Sequence, residues 1–154
     1  MNSIGLPKQE TVQITKKINT LLASYSGLYM NNRGFDWNLK GKEFFELHLK
    51  FREVYDALIL RIDEIAERIL TLEGIPVHSF TENLKLSEIK EETNITNGTV
   101  ALNSVLDGYK KVVGMQRIIL EMATDIGDEG TASLMSDYIT LQEKEIWMFR
   151  AYLA

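Results

Sequence analysis

Asp63 and Glu67, in the segment IDEIAERIL, stand four residues apart and so fall on one face of any helix that carries them. Such a pair offers hard oxygen donors to a divalent ion of the Fe²⁺, Mn²⁺ or Mg²⁺ kind. Ile62, Ile65, Ala66 and Ile69 flank the pair and shelter it in part. Taken alone, it is also the ordinary pattern of a solvated acidic face. Two further potential ligands lie upstream: Asp36 in FDWN and His48 in FELHL. His48 precedes Asp63 by fifteen residues on what reads as the same helix, which puts about 22 Å of helix axis between them. One ion cannot touch both within a straight helix. Either the two are unrelated, His48 being an ordinary hydrogen-bonded histidine, or a second chain completes the site. A twofold axis would set His48 of one subunit beside Asp63 and Glu67 of its neighbour, twice per dimer. The di-iron motif of bundle interiors, Glu-x-x-His, is absent, because neither His48 nor His78 has Glu three residues before it. The metal reading is therefore an intersubunit one.

The elements that must hold these residues are helical. Val12, Ile14, Ile18, Leu21, Leu22, Tyr25, Leu28 and Tyr29 recur at threes and fours and predict a first helix from about Lys8 to Arg33. Turn signals run from Gly34 to Gly41. A second helix is predicted from about Lys42 to Leu72, on Phe44, Leu47, Phe51, Val54, Leu58, Ile62, Ile65 and Ile69, with Gly74 and Pro76 as stops. The polar stretch that follows has room for a short helix over Leu84 to Lys90, then a loop from Thr93 to Gly98. Two more long helices follow, from about Thr99 to Thr124 and from about Gly130 to Tyr152. Gly108 and Gly114 lie inside the third long helix, each at a cost of about 1 kcal/mol, and close helix approach is the expected reason. No strand alternation and no repeat is present. The expectation is an all-α chain forming one domain over residues 1–154. Its fold would be a ferritin-like four-helix bundle with a short extra helix in the long connection between the second and third.

Bulk properties narrow the function. With 154 residues and 45% hydrophobic content, the chain can bury one sizeable core. The absence of Cys removes disulfides, thiolate metal sites and Cys nucleophiles, and fits a reducing cytosol. A net charge of −5 argues against a general nucleic-acid binder, which needs clustered Lys and Arg. No long apolar run suggests a membrane span, and the N-terminus carries no signal-peptide pattern. The expected location is the cytoplasm.

The motifs together resemble those of the Dps-type mini-ferritins, the DNA-binding proteins from starved cells. The family pattern is His-Trp-Asn, then Leu-His, then Asp-x-x-x-Glu-Arg. This chain has Trp37-Asn38, Leu47-His48 and Asp63-x-x-x-Glu67-Arg68, with Asp36 in place of the first His. DEIAERILTLEG, GDEGTASL and EKEIWMFRAYL strengthen the likeness across most of the chain. The resemblance implies a hollow dodecamer built from twofold dimers, with ferroxidase centres at the dimer interfaces. There Fe²⁺ is oxidised, typically by hydrogen peroxide, and ferric mineral grows in the cavity. It further implies that Asp36 and His48 from one subunit, with Asp63 and Glu67 from its partner, hold the iron. Glu67 would be the bridging or bidentate ligand. Trp37 would lie beside the centre, where an indole can supply an electron or simply pack. Asp125, Asp128 and Glu129 would help line negative pores that draw Fe²⁺ inward, although acids are also favoured at a helix start.

Two departures bear on that function. Asp36 puts a shorter anion where the family has an imidazole. Arg52, one turn after His48, stands where the family usually has an acid that helps a second iron. A guanidinium there repels that ion and could pair with Asp36, so one firm iron position and one weak one are expected per centre. The rival readings are a non-catalytic cage with a degenerate centre and a DNA-protecting structural protein. Only Lys8 precedes the first helix as a basic tail residue, so no strong DNA binding is expected.

Overall fold

The computed structural model describes residues 1–154 as five helices: α1 (Lys8–Asn38), α2 (Phe44–Thr71), α3 (Phe80–Leu86), α4 (Gly98–Asp125) and α5 (Glu129–Leu153). α1 packs along α2, α4 along α5, and α1 along α4, with α3 lying against α1. The chain direction follows from two ties. The Lys40 N–H donates to the Thr96 carbonyl at 2.9 Å, joining the starts of α2 and α4. Arg68 near the end of α2 grips Asp128 just past the end of α4. α2 and α4 therefore run parallel, and the long connection carrying α3 returns the chain from one end of the bundle to the other. No helix is long and apolar enough to cross a membrane.

The core forms where the four apolar stripes meet. Ile14, Ile18, Leu21, Phe51, Leu58, Ile65, Leu102, Ile119 and Met135 have essentially no solvent contact. Each large apolar side chain so buried contributes about 1.5–3 kcal/mol.

Several boundaries differ from the sequence reading, the largest for local reasons. α1 does not stop at Arg33 but runs on to Asn38. The buried face continues from Leu28 through Asn32 to Phe35, whose ring meets Phe51 with centroids 5.7 Å apart. That packing outweighs the weak helix propensity of Gly34. α3 covers Phe80–Leu86 instead of Leu84 to Lys90, because Ser79 caps it by accepting from the Glu82 N–H. The long helices α4 and α5 begin one residue early, capped by Asn97 and Asp128. The two helical glycines also part company. A β-carbon on Gly108 would run into the Leu28 side chain, so close approach explains it. A β-carbon on Gly114 would meet nothing, so close approach does not explain that one.

Candidate metal centre

The bundle interior is polar at its middle, yet it is closed to metal. Tyr25 donates to Gln142 Oε1 at 2.5 Å, Gln116 Nε2 donates to the Tyr25 hydroxyl at 2.6 Å, and Gln142 Nε2 donates to Gln116 Oε1 at 3.0 Å. Burial pushes the Tyr25 hydroxyl far above its ordinary pKa, so it remains a donor. Next to this ring the buried Arg61 pairs with Glu145 at 3.1 Å. Burial works against the guanidinium charge, and the Glu145 carboxylate outweighs it, leaving Arg61 above its usual pKa. A fixed cation at this point repels a divalent ion. Within one chain, no three His, Asp or Glu side chains converge where they could hold a metal.

The predicted ligands divide into two groups on the outside of the α1–α2 pair. Asp63 and Glu67 project from α2 into solvent, and neither carboxylate takes part in an ion pair or accepts a hydrogen bond. They are exposed, not partly sheltered as their apolar neighbours suggested. Asp36 and His48 form the other group. The extension of α1 by one turn places Asp36 inward, 1% exposed, against the early part of α2. Its Oδ1 lies 2.5 Å from His48 Nδ1, and its Oδ2 accepts from the Tyr55 hydroxyl at 3.3 Å. The Phe44 ring stacks on the imidazole, centroids 5.2 Å apart and planes 11° off parallel.

Around this pair, Arg33 is held by aromatic rings. Arg33 lies over the rings of Trp37, Tyr55 and Tyr29 at 4.7, 5.2 and 5.5 Å, and donates to the Tyr29 hydroxyl. Arg52 forms no ion pair with Asp36. The Tyr55 hydroxyl first, and the Asp36 carboxylate after it, hold the Arg52 guanidinium above its ordinary pKa. The expected direct Arg52–Asp36 pairing does not form; Asp36 Oδ2 accepts from the Tyr55 hydroxyl instead. Trp37 is 62% exposed, so subunit core packing does not account for it.

The acids before α5 also divide. Asp125 and Glu129 are exposed. Asp128 is 2% exposed, accepts from the Thr131 N–H at 3.0 Å and pairs with Arg68 at 2.6 Å. In the subunit its carboxylate faces the α5 start and α2, not a water-filled opening. Gly130 leaves room for this contact, since a β-carbon there would sit 2.7 Å from Arg68 Nη1.

Residues 15–154 match the family model described as a ferritin-like domain. The Dps protein of Vibrio cholerae O1 is 50% identical and superposes with a TM-score of 0.99, over 100% of this chain and 97% of that one. The DNA protection during starvation protein of Porphyromonas gingivalis is 42% identical over 96% of this chain and 93% of its own length. This chain belongs to the Dps-type mini-ferritins. The Dps protein of Bacillus brevis superposes with a TM-score of 0.92 at 30% identity, covering 95% of this chain and 98% of that one. The Vibrio protein is described as a member of the ferritin-like diiron-carboxylate superfamily. In this Dps subunit the sequence motifs pointed to Asp63, Glu67 and His48 but gave no role to three residues beside them. Tyr55 braces Asp36, and its position seven residues after His48, on the same helix face, was a usable signal. Phe44, four residues before His48, stacks on it for the same reason. Arg68 ties the acid-bearing end of α2 to α5, which spacing alone does not reveal.

Proposed function

We propose that this Dps protein is an iron-oxidising and iron-storing cage that protects against peroxide, with its ferroxidase centre shared between two subunits. The observation that carries this reading is the division of the ligands. The exposed pair Asp63 and Glu67 has no partner in its own chain, and the half-exposed His48 lies about four helical turns away on the same α2. An uncovered apolar groove of about 550 Å³ runs between α1, α2 and α3, bounded on α2 by Ile59 and Ile62, the latter next to Asp63 in the chain. Met30, Ile59, Phe80 and Leu84 line it and are exposed, Phe80 by 93%. An open apolar surface of this kind fits association with a second copy, and a twofold packing would bring each His48 to the other chain's acids. Two Fe²⁺ ions give one electron each to one H₂O₂, which leaves as two hydroxides. Two carboxylates favour the Fe³⁺ so formed, because hard anions gain most from the higher charge. Arg52 disfavours a second cation beside the first, so each centre has one firm iron position. Trp37, exposed next to Asp36, is placed to supply an electron or intercept a radical. Asp125 and Glu129 remain available to a pore that attracts Fe²⁺; the committed carboxylate of Asp128 makes it a helix cap in this reading.

The test is the initial rate of peroxide-dependent Fe²⁺ oxidation, followed by ferric absorbance. Glu67→Ala should lower it at least tenfold with the cage intact. Equal rates in both proteins, or a wild-type rate no faster than buffer, would mean a non-catalytic cage. DNA protection in this reading is chemical. The N-terminal segment offers only Lys8 and is docked on its own chain, the Ser3 N–H donating to Glu73 at 2.8 Å. No gel shift of duplex DNA is expected at physiological salt, and a shift that persists there would contradict this.

A further inference from the structure

Asp36 occupies the position of a family ligand, yet it is poorly placed to touch a metal. Its side chain has no solvent exposure, whereas the His48 side chain is 31% exposed. An ion held by Asp63 and Glu67 of a second chain arrives from the solvent side, because both of those carboxylates point there. It meets the imidazole first and cannot reach Asp36 without displacing it. Meanwhile the two oxygens beside His48 Nδ1 are both acceptors: Asp36 Oδ1 at 2.5 Å and the Asp36 main-chain carbonyl at 3.4 Å. The carbonyl is the oxygen aligned with the ring nitrogen, and the carboxylate lies against it as a close charge contact outside hydrogen-bond alignment. An unprotonated Nδ1 would set its lone pair against a carbonyl and a neighbouring anion, so the proton belongs on Nδ1. That assignment leaves Nε2, which has no hydrogen-bond partner in the subunit, with its lone pair free and directed away from Asp36. Tyr55 fixes the other Asp36 oxygen, and the Phe44 ring fixes the plane of the imidazole.

We propose that Asp36 is a positioning residue and not an iron ligand: it holds His48 in the Nδ1–H tautomer and makes Nε2 the one donor atom that this half of the centre contributes. A carboxylate, a histidine and a metal in line form a recurrent arrangement in which the carboxylate orients the ring and raises its donor strength. The substitution of the family's first His thereby changes the kind of centre. One imidazole and two carboxylates converge on one Fe²⁺, and the second nitrogen is replaced by a brace. The inference rests on the intersubunit centre proposed above.

Three measurements test it. In crystals soaked anaerobically with Fe²⁺ and read at the iron edge, iron should lie on His48 Nε2 with no bond to Asp36. Iron coordinated by an Asp36 oxygen overturns the proposal. In anaerobic Fe²⁺ titrations, Asp36→Ala should weaken binding about 10–100-fold. Asp36→Asn should stay within about threefold of wild type, since its amide oxygen keeps an acceptor in the same place against Nδ1–H. Were Asp36 a ligand, the neutral amide would lose as much as alanine, and that result also overturns the proposal. Finally, ¹⁵N-histidine spectra of the metal-free cage, assigned against a His78→Gln control, should show the Nδ1–H tautomer of His48 and its loss in Asp36→Ala. The opposite tautomer in wild type refutes the idea without any metal present. Iron binding that survives both Glu67→Ala and His48→Ala would remove the shared centre itself and this inference with it. Iron lost in those variants but bonded to Asp36 would remove this inference alone.

Discussion

Arg61 and Glu145 meet in the middle of the bundle beside a closed ring of Tyr25, Gln116 and Gln142, while Asp63 and Glu67 stand in water on the outer face of α2 with no partner at all. Both regions carry carboxylates, Glu145 in the inner one and Asp63 and Glu67 in the outer one. The inner one has been satisfied internally and carries a fixed cation. The outer one has been left unsatisfied. Charge in a protein interior must be compensated within the chain, whereas charge at the surface can wait for an ion or a second subunit. The contrast implies that stability depends on the first region and chemistry on the second.

The sharpest way to break this contrast is to remove one partner of the inner pair. Arg61→Ala leaves Glu145 uncompensated and should cost about 3–5 kcal/mol, seen as a lower midpoint in chemical denaturation followed by circular dichroism. Replacing both partners with apolar residues should restore most of that loss, and failure to do so would show that the pair does more than neutralise itself. A smaller effect is expected from Gln116→Leu, which leaves the Tyr25 hydroxyl and Gln142 short of a partner and should cost about 1–3 kcal/mol in the same measurement. An effect of similar size is expected where Gly108→Ala must push Leu28 aside, a loss of about 1–3 kcal/mol. Gly114→Ala, which meets nothing, should stabilise by about 0.5–1 kcal/mol. If the two glycines responded alike, the packing argument that separates them would fail.

The same contrast explains what could be read from the sequence. Helix number, order and approximate extent were legible, since apolar residues at threes and fours leave few alternatives for α1, α2, α4 and α5. Asp63 and Glu67 were legible as a pair because four-residue spacing needs no tertiary knowledge. The end of α1 was not, because Gly34 reads as a break until Phe35 is seen against Phe51. With that turn went the true setting of Asp36, whose burial depends on His48 and Tyr55 from another helix. The start of α3 was legible in principle, as Ser79 and Glu82 have the spacing of a capping box. Nothing in the spacing sets Arg61 apart from the other charges of α2. Its burial became apparent only with Glu145 from α5 beside it.

Arg68, locked to Asp128 and Thr131 through a gap that only Gly130 leaves open, sits one residue from Glu67. The backbone that carries the acids is thereby anchored independently of anything the acids bind. If the proposed shared centre is right, a variant library that randomises positions 63 and 67 while holding 68, 128 and 130 fixed would vary its metal preference on a constant frame, and selection from it would report on ligand chemistry alone.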